Sequence, residues 1–260
     1  MTTSAATIPL APTSSVTLSR PGFATSVLVE LRKLVDTRVS LVLGLAALGM
    51  IIAFTGGAAM FRDGSYGTTA TAAGAPAGMA LAVLAILSVT SELANRSAQV
   101  TFLTEPNRLR VLAAKAAAVA AAAVGATLVA YLAALVATPL GAHWQSRPVS
   151  WDYQGWALAG YLVASVILVL ESFALATMLL NGPAALVVTF GLPMVFTLVE
   201  TAFPASAKAL EWISPSSAMD TLSKTGAAAT TWAQLGTSLA VWLILPLVVG
   251  TVRVARREIA

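Results

Sequence analysis

Glu171 interrupts the otherwise uncharged run from Gly155 to Leu180, and Glu200 stands near the end of the run from Pro183 to Phe203. An ionised carboxylate deep in a bilayer costs at least a few kcal/mol, so such an acid is protonated, paired or turned to a watery interior. Glu171 is about nine residues, roughly 13 Å, from the C-terminal end of its run. It could gate a substrate path or carry a proton; equally, it could hydrogen-bond a neighbouring helix. Glu200 is close enough to an end to reach the headgroups. Asn181, in the break between the two runs, completes the candidate translocation path. Little other chemistry is on offer. The chain has no cysteine, so thiolate metal sites, disulfides and cysteine nucleophiles are excluded. A single histidine, His143, beside Trp144, cannot build a multi-imidazole site. No G-x-x-x-x-G-K-[ST], H-E-x-x-H or G-x-S-x-G occurs. The chain is not expected to be an enzyme, and it offers no site for a cofactor of its own.

These acids need elements to hold them, and composition says which. Of 260 residues, 58% are hydrophobic and only 10% charged, with a mean hydropathy of +0.84. Soluble domains carry about 25% charged residues. A spanning helix needs about 20 apolar residues, and six such stretches follow one another: Val39 to Phe61, Gly74 to Ser91, Val111 to Leu140, Gly155 to Leu180, Pro183 to Phe203 and Ala233 to about Val252. The expected fold is an all-α membrane protein of six transmembrane helices. Small residues recur every four positions in the third stretch, at Ala117, Ala121 and Gly125, a spacing that permits close helix packing.

Basic residues orient the bundle. With the N-terminus inside, the inner segments hold Arg20, Arg32, Lys33, Arg38, Arg96, Arg108, Arg110, Lys115, Arg253, Arg256 and Arg257, and the outer ones hold Arg62, Arg147, Lys208 and Lys224. Eleven of the fifteen fall on one side, the positive-inside bias, so both ends are expected in the cytoplasm. The +4 net charge then faces anionic headgroups and not nucleic acid. Residues 1–20, rich in Ser, Thr, Pro and Ala and lacking the basic start of a signal peptide, read as a disordered cytoplasmic tail. Residues 21–260 read as a single six-span domain.

Two connections do more than link. Residues 22–38 place Phe23, Val27, Leu31, Leu34 and Val35 at helical spacing, with Glu30, Arg32, Lys33 and Asp36 expected away from that face. This predicts an amphipathic helix lying in the membrane interface. Residues 92–108 carry Glu92 and Arg96 at i, i+4, then Val100, Thr101, Phe102 and Leu103, then Pro106 and Arg108, with Lys115 anchoring the next span at the headgroups. An apolar cluster on a short charged hairpin needs a cover. A partner protein supplies one, and folding onto the protein's own interfacial helix supplies another.

Three stretches together resemble the type-2 permease family of ABC transporters. They are Glu30-Leu31-Arg32-Lys33-Leu34 before the first span, Glu92-Leu93-Ala94-Asn95-Arg96 through Thr101-Phe102-Leu103-Thr104-Glu105-Pro106-Asn107-Arg108 to Lys115, and the basic tail from Pro246 to Arg257. Ser97, where a glycine is usual, and Glu105 before Pro106 depart from the pattern. The resemblance implies a permease subunit of an exporter in a bacterial cytoplasmic membrane, paired with a second permease chain, in the first instance a homodimer. Two ATPase subunits, carrying ATP and Mg, would dock beneath. Residues 92–108 would be the coupling loop, seated in the ATPase. Residues 204–232 would resemble the family's external re-entrant segment, with Ala205 to Trp212 as a short helix ended by Ser214-Pro215. The residues themselves leave two rivals: a secondary transporter coupled to protons at Glu171, and a membrane regulator subunit that transports nothing.

Overall fold

The computed structural model describes residues 22–94, 108–215, 221–222 and 226–256. The predicted tail lies outside the described residues, as do Arg96, Val100, Thr101, Phe102, Leu103 and Pro106 of the 92–108 connection and parts of 204–232. The described residues form helices and no strand. The longer of them, in chain order, are α1 (Phe23–Asp36), α2 (Arg38–Phe61), α3 (Tyr66–Thr71), α4 (Gly74–Ala94), α5 (Arg108–Trp144), α6 (Gly155–Leu179), α7 (Gly182–Ala202), α8 (Ala229–Leu239) and α9 (Leu245–Arg256). A π-helical turn, Ala240–Ile244, joins α8 to α9 in one continuous rod.

Six helical stretches are long and apolar enough to cross a membrane: α2, α3 with α4, α5, α6, α7, and the α8–α9 rod. Their arrangement shows which solvent they suit. α4 and α6 sit at the centre, and the main core joins Leu81, Ile86 and Val89 of α4 to Leu112 and Val119 of α5, Val169 and Phe173 of α6, and Ala185 of α7. About half of the apolar stretch of α6 is buried, but only 6% of that of α7. Their mean hydropathies are nonetheless 2.2 and 1.9. A surface helix of a soluble protein turns a polar face outward. α7 instead exposes Val187, Met194, Val195 and Leu198, which is what hydrocarbon as the surrounding solvent requires. The protein is a multi-pass membrane protein.

Local chemistry sets the ends of the spans. Thr37 separates α1 from α2, and its hydroxyl accepts from the Ser40 amide, capping α2. Leu180 takes a left-handed conformation after α6, and the Asn181 side chain accepts from the Ala184 amide to start α7. At the opposite end of the bundle, Arg147 closes α2. Its guanidinium donates to the carbonyls of Ala59 (2.5 Å), Arg62 (3.0 Å) and Asp63 (2.6 Å), acceptors that a helix terminus leaves open. Gly64 has φ +63°, and a Cβ there would stand 1.6 Å from the Arg147 guanidinium, so only glycine fits beneath the clamp. Beside it, Tyr66 packs on Trp151 and Tyr153 with ring centroids about 6 Å apart.

Sequence and structure differ at two places here. α4 begins at Gly74, as expected of the second span, but a further helix, α3, precedes it and extends the apolar stretch back to Tyr66, started by Ser65, whose hydroxyl accepts from the Thr68 amide. The spacing of Ala117, Ala121 and Gly125 suggested a packing stripe, yet Gly125 and Ala121 are exposed, and a Cβ added at Gly125 would meet no other element within 4 Å. α5 packs on other small residues, among them Ala118, Ala123, Ala130, Ala134 and Gly141.

Candidate functional site

A buried polar arrangement lies where α1 meets α2, at the bundle end that also holds the start of α5 and the end of α9. Its centre is Glu30. One carboxylate oxygen accepts from Lys115 at 2.6 Å and the other from Lys33 at 2.7 Å. Glu30 and Lys115 are 7% and 6% exposed, so this is a buried ion pair, between residues 85 apart in sequence.

This overturns the expectation that Glu30 lies away from the apolar face of α1. At 3.6 residues per turn, positions 23, 27, 30 and 34 fall on one stripe. Glu30 is therefore in the middle of the face that packs on α5, flanked by Val27 and Leu34, and Leu34 reaches the main core. Lys115 is corrected as well. It does not reach outward to headgroups but is buried beneath α1. Leu31 is half-buried, whereas Val35 and Phe23 are exposed at 64% and 46%. On the outward side Arg32 pairs with Asp36 at 3.3 Å, both well exposed.

Two further contacts extend the frame. Arg108, the first residue of α5, donates to the Val254 carbonyl near the end of α9 at 3.2 Å. Arg253 donates to the Met178 carbonyl at the end of α6. Below that bond, a Cβ on Gly250 would come within 2.8 Å of the Thr177 and Met178 backbone, so α9 and α6 lie in direct backbone contact. The first turn of α5 is thus bonded to α9, its second turn to α1, and α9 in turn to α6. Glu92 lies in the last turn of α4, and its side chain is outside the described residues.

The candidate translocation path is not assembled in one place. Glu171 is 6% exposed inside α6, and its Oε1 has no hydrogen-bond partner. Asn181 is exposed and serves as the α7 cap. Glu200 is half-buried near the far end of α7, about 28 Å along the helix from Asn181. His143 and Trp144 end α5, both exposed.

The connection after α7, expected to carry a short helix from Ala205 to Trp212, holds shorter pieces. Pro204–Ser206 forms a 3-10 turn and Ala207–Leu210 a single helical turn, followed by hydrogen-bonded turns to Ile213. It then lies along the last span: Thr237 donates to the Trp212 carbonyl (2.6 Å), Ser238 to Ser214 (3.2 Å) and the Trp242 indole to Ile213 (2.6 Å). Trp242 sits in the π-helical turn, whose bond to Ile213 was not visible in the sequence. No family model and no curated protein matches the chain.

Proposed function

We propose that this chain is the permease subunit of an ATP-driven exporter, resembling type-2 permeases of ABC transporters. It works as a dimer, in the first instance of identical chains, in a bacterial cytoplasmic membrane, with both ends inside. Two separate ATPase subunits bind Mg-ATP and dock on residues 92–108. The cargo is a hydrophobic or amphiphilic compound such as a drug, peptide antibiotic, lipid or glycolipid, since the spans offer few fixed charges.

One observation carries the proposal. The helix that leaves the 92–108 connection is tied in its first two turns to α1 by the buried Glu30–Lys115 pair and to α9 by Arg108. A load applied to that connection therefore reaches the first helix, the third span and the last span together. A passive hairpin needs no such bracing. The clustering of Arg38, Arg108, Arg110, Lys115, Arg253 and Arg256 at this end of the bundle supports placing it in the cytoplasm.

The test is to purify the full chain with a candidate ATPase and follow complex formation and ATP hydrolysis. Phe102→Asp is expected to abolish the complex, and Arg108→Glu to lower coupled hydrolysis by at least about tenfold, the equivalent of 1.4 kcal/mol. If neither variant changes either readout, the coupling assignment fails.

A second reading has its own observation, the unpartnered Oε1 of Glu171 in the middle of α6. An acid so placed is what a proton-coupled secondary transporter uses. That reading expects Glu171→Gln to abolish pH-driven uptake into vesicles while leaving the protein folded. Under the exporter reading, ATP-driven transport persists in Glu171→Gln with its pH dependence unchanged.

A further inference from the structure

The junction of α1 and α2 holds a partly open cavity of about 450 Å³, within the usual size range of small-ligand sites. Its walls come from both of those helices, the end of α4 and the start of α5. Lys33, Arg38 and Lys115 line it, against one acid, Glu30. Glu30 bonds both lysines, while Arg38 forms no ion pair among the described residues. Among the described residues the lining therefore holds three cations against one carboxylate, with the Arg38 guanidinium uncommitted.

The other polar groups narrow the ligand. Ser88 and Ser91 donate their hydroxyls to the carbonyls of Ala85 and Leu87 in their own helix. They have no hydrogen left for a bound acceptor, and Thr37 donates its own to Ser40, so the donors left to a ligand are the cations and the Ser40 hydroxyl. An anion with several acceptor oxygens is the matching chemistry. Position narrows it further. The cavity lies at the start of α2 and the end of α4, where apolar stretches of membrane-spanning length end and a headgroup layer would begin. Val39 lines it and is 59% exposed, and Val42 and Leu45 continue an exposed apolar track along α2 into the membrane. A free phosphate has no use for that track, whereas acyl chains do.

We infer that this cavity binds the phosphate headgroup of an anionic phospholipid, with the acyl chains laid along α2. The inference rests on the membrane-spanning fold and not on the exporter proposal. A lipid held there touches four helices and clamps α1 to the bundle.

The test uses the full chain in neutral detergent, titrated separately with phosphatidylglycerol and phosphatidylcholine. Melting temperature and lipid retention in native mass spectrometry are the readouts, since a ligand that binds only the folded state raises its stability. Phosphatidylglycerol is expected to raise the melting temperature and to be retained; phosphatidylcholine is not. Lys33→Ala and Arg38→Ala should each weaken the effect about fivefold, as expected for one basic group near an anionic headgroup. Arg38→Lys, which keeps the charge, should retain most of it, and Arg32→Ala, on the outward side, should change nothing. Equal effects of the two lipids would overturn the assignment, as would an Arg38→Ala variant that binds normally. If soluble glycerol phosphate alone reproduces the shift at the same concentration, the ligand is a free phosphate and the lipid assignment fails.

Discussion

Glu30→Leu and Lys115→Met, made singly, are expected to destabilise the protein by about 3–5 kcal/mol each, and the two together by far less. The two residues meet at 2.6 Å with side chains 9% and 7% exposed. Removing one partner takes from the other, held away from water, a bond that compensated its charge. Lys115→Met belongs at the lower end of the range, because Glu30 keeps Lys33, whose side chain is 39% exposed and has access to water. Glu30→Leu belongs at the upper end, because both lysines lose the carboxylate they share. In the double variant the introduced leucine joins Val27 and Leu34 on one stripe and meets a methionine in place of the ammonium. An apolar replacement of similar volume often matches a buried pair or exceeds it. SDS titration of the full chain in detergent micelles measures each variant, and the cycle gives the coupling directly. Strictly additive losses, or single losses below about 1 kcal/mol, would show that the pair does not hold α1 to α5.

The contrast between Glu30 and the spans shows what the sequence made legible. Span positions are readable because each depends on a run of about 20 local residues. The breaks between them are local too: Asn181-Gly182-Pro183 places the turn before α7 on the correct residues, since the Asn cap and the early Pro act within one turn. The face of Glu30 was equally readable, because positions 23, 27, 30 and 34 share a stripe whatever their polarity. Its charge points to the outward face, and the helical period places it inward. Its partner was not readable, since Lys115 is 85 residues away and nothing local points to it. The same holds for Arg147, whose clamp on α2 depends on two connections meeting at one end of the bundle. Glu171 sits between these cases. Its burial follows from the apolar run around it, while its lack of a partner for Oε1 depends on how α6 packs.

Two glycines in α5 should respond to the same substitution with opposite signs. Gly141→Ala is expected to destabilise by about 3 kcal/mol, the upper part of the range for overpacking. Gly125→Ala should stabilise by up to about 1 kcal/mol, the helix-propensity difference between the two residues. A Cβ on Gly141 would stand 2.3 Å from the Ala59 carbonyl oxygen and 2.7 Å from its carbon, and both are backbone atoms of α2. No rotamer change relieves that contact, so α2 must move away from α5. The movement also strains the bond from Arg147 to the same Ala59 oxygen, loosening the clamp that ends α2. Gly125 has no atom of another element within 4 Å of its would-be Cβ and faces outward, so the added methyl meets only the surroundings of the bundle. Small residues spaced by four therefore do not by themselves locate a helix contact; the backbone approach at Gly141 does. Unfolding measurements on the two single variants in one detergent decide the matter. Equal responses at the two sites would mean that α2 and α5 do not meet through Gly141.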